Sequence, residues 1–307
     1  MEHLTISLFL TQKCPSRCRH CGTSSTPVAD RDFDLEEIKR FIEKIAETPN
    51  VEAVGFSGGE VFMVKDLLHA AVEELRKFSI PYTFVTNAFW ATSFDVAKEV
   101  LSDFTDTIGM GLSADPFHQE FVPIERVINA TRAAEELEIP YTIRATMRES
   151  DKKEDIEKDL KDAGLNNLEV IQFSPLMYIG SAREGIPPED FPDENKGGPC
   201  LSLRTPFLFS RGDLFACCGE AGNIEGRHPL YLGNIKDGSL MSLFEKYEND
   251  PYLVALYTIG PRGLWELLGD TPKDIEEELL LRSPCGTCRL IFGDKDRTKR
   301  LNRILKL

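Results

Sequence analysis

The chain has 307 residues, 41% of them apolar, and a formal net charge of −15. It is long enough for one large α/β domain or a barrel with an appendage, and its acidity argues against nucleic acid or anionic membrane as partner, since both are polyanions. With no basic n-region, cleavage site or stretch of membrane-spanning length in view, a cytosolic protein is expected, in which the eight cysteines point to metal or catalysis rather than disulfides.

Short apolar runs alternate with amphipathic segments. HLTISLFL (3–10) reads as a strand. DLEEIKRFIEKIAET (34–48) predicts a helix, with Asp34 and Glu37 spaced as a capping box and Leu35, Ile38, Phe41, Ile42 and Ile45 on one face. Strands are then expected at 51–57, 82–87, 107–113, 141–147 and 168–175, and helices at 65–78, 93–101, 123–138 and 153–164. Six such βα units imply a parallel sheet with right-handed crossovers. Periodicity leaves open a doubly wound sheet or a partial (β/α) barrel; in both, chemistry sits at the carboxyl ends of the strands.

The pattern changes after Pro175. Residues 184–200, rich in proline, glycine and acid, read as a linker. TPFLFS-RGD-LFACC reads as a hairpin around Gly212, followed by three helical stretches with CGTC (285–288) between the last two. Residues 1–183 and 184–307 are thus expected to form two units. The first strand begins so near Met1 that no separate N-terminal recognition domain is expected.

Three cysteines follow the first strand as C-x3-C-x2-C: Cys14, Cys18 and Cys21. Three thiolates in this span can wrap an iron–sulfur cube and leave one iron open, as a catalytic centre requires. A zinc site with His20 as fourth ligand is the alternative, at a spacing unusual for zinc. FSGGE (56–60) ends the second strand. Gly58 and Gly59 permit close backbone approach, and Glu60 can accept from an ammonium group. In the second unit stand Cys200, Cys217, Cys218, Cys285 and Cys288. These are enough for one four-thiolate cube with one thiol over, or for a zinc knuckle. Neighbouring side chains on a strand face opposite ways, so Cys217 and Cys218 should have different jobs; periodicity does not say which is free.

Together the C-x3-C-x2-C, the GGE, TNAFW (86–90) and LSADPFH (112–118) resemble the radical S-adenosylmethionine (SAM) enzymes. The resemblance implies a partial (β/α)6 barrel. It also implies a [4Fe–4S] cluster on Cys14, Cys18 and Cys21, with SAM on its open iron and contacted by Gly58, Gly59 and Glu60. By position, Asn87, Ser113, Asp115 and Arg144 would reach SAM, and His20 would lie near the adenine. His118 and Trp90 are candidates for the substrate pocket. The C-terminal part resembles the shorter family extension with a single auxiliary [4Fe–4S] cluster, here on Cys200, Cys217, Cys285 and Cys288. The CC pair and final C-x2-C resemble the radical SAM peptide epimerases, in which the second cysteine of such a pair is the hydrogen donor, here Cys218. A precursor peptide and a flavodoxin- or ferredoxin-type reductant are the implied partners. The same scaffold also admits epimerisation of an aminoglycoside or other sugar, or a peptide-crosslinking or dehydrogenating activity.

Overall fold

Alternation along the first strand decides what the sheet faces. Leu4, Ile6 and Leu8 are buried while Thr5 and Ser7 point to the opposite, partly open face. The computed structural model describes residues 4–29 and 32–306; His3, the expected first strand residue, lies outside them. In chain order it contains β1 (Leu4–Phe9), α1 (Leu35–Ala46), β2 (Val51–Ser57), α2 (Lys65–Lys77), β3 (Tyr82–Thr86), α3 (Phe94–Ser102), β4 (Gly109–Ser113), α4 (Ile124–Glu136), β5 (Tyr141–Met147), α5 (Lys153–Ala163) and β6 (Ile171–Pro175). All six expected strands and the five helices between them are present. The expected capping box forms by half. Asp34 accepts from the amides of Glu36 and Glu37, but the Glu37 carboxylate pairs with Lys236 instead of returning to the cap.

β1 to β6 are parallel and pair in chain order. A doubly wound sheet needs a reversal of strand order. None occurs here, so the sheet is singly wound, and because β6 does not return to β1 it is an open, partial barrel. Its inner face carries small or polar residues: Ser7, Gly55, Thr83, Gly111 and Ser113. A Cβ on Gly55 would meet the side chains of Ser7 and Thr83, and one on Gly111 would lie 3.1 Å from Arg144 Nε. Filling a barrel needs bulky branched side chains; these residues leave room for a ligand.

After β6 the chain forms α6 (Ala182–Gly185), β7 (Phe207–Leu208), β8 (Asp213–Phe215), β9 (Tyr231–Asn234), α7 (Leu240–Asn249), α8 (Pro251–Thr258), α9 (Gly260–Leu268), α10 (Ile275–Leu281), α11 (Pro284–Phe292) and α12 (Lys295–Leu305). β7 adds in parallel to β1, and β8 and β9 follow antiparallel, so all nine strands form one sheet. The hairpin turns through Arg211 and Gly212, both at positive φ.

Three expectations need correction. Six helices, not three, follow the hairpin among the described residues. CGTC does not lie between helices; it opens α11, where Pro284 takes the first turn and the Ser283 hydroxyl accepts from the Gly286 amide at 3.1 Å. The stretch 184–200 is no free linker. Phe191 is buried edge-on against Tyr178, and the Asn195 amide donates to Leu281 O and Thr287 Oγ1, both at 2.8 Å. Among the described residues no helix is long and apolar enough to cross a membrane.

Candidate active site

The loop after β1 carries Cys14, Cys18 and Cys21 and is held from two sides. From β2, the amides of Gly59 and Glu60 donate to Thr11 O (2.7 Å) and Lys13 O (2.8 Å). A Cβ on Gly58 would lie 2.5 Å from Thr11 O, and one on Gly59 2.2 Å from Lys13 O. The glycines therefore let one backbone lie on another. After β6, Gly180 at φ +53 packs on Cys21 O and Gly22 O, and the Ser181 amide donates to Cys21 O at 2.9 Å.

All three cysteines line one cavity, together with Ser16, His20, Gly58, Gly59, Asn87, Ser113 and His118. The Ser25 amide donates to Cys21 Sγ at 3.4 Å, and Asn87 Nδ2 stands 3.6 Å from Cys14 Sγ. Such donors favour sulfur carrying negative charge. Burial pushes the Cys14 thiol up to about 11 and Cys18 higher, each raised further by the neighbouring sulfurs, so metal binding would release their protons. A single tetrahedral zinc, with Zn–S bonds of about 2.3 Å, would hold its sulfurs within about 4 Å of one another. Among the described residues, only His20, Asp115 and His118 bring three such ligand atoms within 4.8 Å. Neither cysteine set brings three sulfurs within that distance of one another.

Glu60 is held by donors from two strand ends. Its carboxylate is buried and takes hydrogen bonds from the Thr86 hydroxyl and Asn87 amide, both at 2.7 Å, and from the Phe62 amide at 3.2 Å. It lies behind the cavity wall, locking the end of β2 to that of β3. Burial raises its pKa to about 7 against these bonds. Thr86, which opens TNAFW, continues the network by accepting from Trp90 Nε1 at 3.0 Å. Trp90 packs on Phe62 and is not among the residues lining this cavity.

Asp115 is also behind the wall. It accepts from the amides of Phe117, His118 and Thr146 and meets His118 Nδ1 at 2.9 Å. Burial alone would raise its pKa; the adjacent His118 imidazole overrides this and holds it below the ordinary range. The carboxylate thus fixes the Nδ1–H tautomer of His118 and leaves Nε2 as the acceptor nitrogen of a cavity-lining ring. His20 stacks on Phe117 with ring centroids 4.6 Å apart, and burial lowers its pKa to about 4, keeping it neutral. Arg144 lies on the inner face of β5, paired in register with Ser113 of β4, and lines a neighbouring cavity with Thr83, Val85, Gly109 and Gly111.

The second cysteine set converges from three elements. Cys200 precedes a 3-10 turn, Cys217 and Cys218 follow β8, and Cys285 and Cys288 share one face of α11. Strand alternation does not separate the CC pair, because β8 ends at Phe215. In the turn that follows, Cys217 is buried, whereas Cys218 is the one exposed cysteine of the eight. A Cβ on Gly219 would lie 2.8 Å from Cys285 Sγ and 3.8 Å from Cys217 Sγ, so both sulfurs flank the same backbone atom. Burial raises the pKa of Cys200, Cys217, Cys285 and Cys288; except at Cys200, neighbouring thiols raise it further. Cys218 sits in a recess that raises its own thiol, while the charge of Arg144 pulls the other way.

The family model described as the radical SAM superfamily matches residues 8–163, just over half of the chain, and the chain belongs to that superfamily. Along 97% of its length it is 24% identical to the putative peptide biosynthesis protein YydG of Bacillus subtilis, covering 94% of that protein. A shorter segment, 79 residues and 25% of the chain, is 34% identical to L-lysine 2,3-aminomutase of Fusobacterium nucleatum, covering 18% of that enzyme. In fold it is similar to native anSMEcpe with bound AdoMet (TM-score 0.58, 15% identity, 98% of this chain and 96% of that one). The same protein with AdoMet and the Kp18Cys peptide gives a TM-score of 0.56 at 14% identity, over 98% and 96% of the two chains. Superfamily membership implies SAM and a [4Fe–4S] cluster, and the Cys14, Cys18 and Cys21 loop fits that cluster.

Proposed function

We propose that this chain is a radical SAM peptide epimerase that converts L- to D-residues in a ribosomally made precursor peptide. The observation that carries the reading is the contrast within the CC pair: Cys217 is buried beside Cys285, and Cys218 is exposed. Cys200, Cys217, Cys285 and Cys288 would hold an auxiliary [4Fe–4S] cluster, supported by the amides of Ser202 and Leu203 at Cys200 and of Glu220 at Cys285. That leaves Cys218 without a ligand role. The 97% overlap with a putative peptide biosynthesis protein favours a peptide substrate over a sugar.

When bound, the first cluster and SAM supply a 5'-deoxyadenosyl radical able to take the Cα hydrogen of an L-residue. The chain's own part begins with SAM placement. Asn87, Ser113, His118 and His20 line the cavity around the three cysteines, and Gly58 and Gly59 present backbone to it. Glu60 and Asp115 hold those residues in place from behind. Cys218 then returns a hydrogen atom to the opposite face of the planar Cα radical: the S–H bond breaks and a Cα–H bond of D configuration forms. Its raised pKa keeps it a neutral thiol at ordinary pH, the form that has a hydrogen atom to give. One electron and one proton must then restore it, drawn ultimately from a flavodoxin- or ferredoxin-type reductant in the cytoplasm.

Anaerobic reconstitution followed by turnover of the candidate precursor peptide in D2O tests this. About eight irons per chain, by the cubane count, and a product with one deuterium per altered residue and no other mass change are expected. Loss of two hydrogens from the peptide would contradict it.

A further inference from the structure

The turn after Cys218 is closed by a ring of hydrogen bonds. The buried Glu220 carboxylate accepts from Arg289 Nη1 at 2.8 Å and from Asn223 Nδ2 at 3.0 Å, and Arg289 Nη1 also donates to Asn223 O at 3.2 Å. Arg289 follows Cys288 on α11, so the ring is fastened to the helix that carries two of the auxiliary-site thiols. Gly219 packs on Cys285 Sγ at the other end of the turn. One bond leaves the ring: Asn223 Nδ2 donates to Gly22 O at 3.3 Å. Gly22 follows Cys21 in the first cluster loop and lines its cavity.

The exposed thiol is therefore held between two anchors, one at each cysteine site. On its N-terminal side stands buried Cys217; on its C-terminal side stands a turn tied both to α11 and to the loop of Cys14, Cys18 and Cys21. We propose that the Asn223–Glu220–Arg289 bridge sets where Cys218 stands relative to the first cluster loop, and that Asn223, which makes the bond across to Gly22, is a positioning residue for hydrogen return. This inference rests on the reading of Cys218 as the donor. Hydrogen-atom transfer depends on close, aligned approach, and a lone cysteine in a free turn would not hold it. The bridge residues act through the backbone that carries Cys218.

The test compares wild type with Asn223→Ala and the isosteric Asn223→Asp, both reconstituted. Asn223 is exposed, so neither change empties the core. The first readout is the ratio of 5'-deoxyadenosine formed to deuterium returned to the peptide. It should rise about fivefold, the size of one lost hydrogen bond, because abstraction continues while return misses. The second is the alkylation rate of the single non-ligand thiol by iodoacetamide, which should rise by a similar factor. A purely structural role would lower both products and the iron content in proportion, leave the ratio unchanged, and overturn the proposal; so would an unchanged alkylation rate. If wild type returned no deuterium while the variants' alkylation still rose, the epimerase reading would fall and the positioning of Cys218 by the bridge would stand.

Discussion

Gly59 and Lys13 are in backbone contact that no other residue at position 59 could make: a Cβ there would lie 2.2 Å from the Lys13 carbonyl oxygen. That oxygen also takes the Glu60 amide at 2.8 Å, so the contact sets the approach of the Cys14 loop to the end of β2. Gly59→Ala should cost about 1–3 kcal/mol of local strain and lower first-cluster iron, with loss of SAM cleavage to match. Gly238→Ala, where the new Cβ would meet only Ser242 Oγ at 3.6 Å, is the control. Iron and 5'-deoxyadenosine assays on the two variants check this.

Glu60 should leave a mark on stability against pH. Its folded-state pKa is raised from 4.5 to about 7 by burial. Its contribution is therefore fully present below about pH 4.5 and lost as pH rises through about 7, at no more than about 1.4 kcal/mol per pH unit. Glu60→Gln removes that slope. The stability of wild type relative to Glu60→Gln should fall between about pH 5 and 7 and level off above, read from anaerobic unfolding midpoints.

The role of Glu60 also shows what a sequence can and cannot carry. The alternating strands and helices were legible because their apolar residues repeat at strand and helix periods, and the cysteine sets because their spacing is rare. Glu60 stood in a recognisable motif, yet its direction depends on Thr86 and Asn87, which arrive from β3. The Cys217/Cys218 contrast was expected from strand alternation; the structure produces it in a turn, through Gly219 packing on Cys285. β9, only Tyr231–Asn234, is too short to announce itself and exists because β8 pairs with it. The start of α11 had a signal that went unread, the Ser283–Pro284 cap.

His118 should matter to SAM and not to iron. Asp115 holds its Nδ1 at 2.9 Å, and the ring lines the cavity without touching a cysteine through any hydrogen bond. His118→Ala should weaken SAM binding about tenfold, near the loss of one well-placed polar contact, with first-cluster iron retained. Equilibrium dialysis with labelled SAM, alongside iron analysis, measures both.

Hydrogen return should tolerate alkaline conditions. Burial in the recess around Cys218 holds its pKa above the ordinary thiol range, and the protonated form, the donor, persists below its pKa and is lost above it. Deuterium incorporation per 5'-deoxyadenosine should therefore decline at higher pH than ionisation of an ordinary thiol, centred at about 8.5, would allow. A decline centred near about pH 8.5 would show an unperturbed thiol.

The central claim is that Cys218, and not Cys217, gives the hydrogen atom. Cys218→Ala, reconstituted and supplied with reductant, SAM and the precursor peptide in D2O, should keep its iron and form 5'-deoxyadenosine while the peptide gains neither deuterium nor a D-residue. Deuterium incorporation at the wild-type level by this variant would contradict the account.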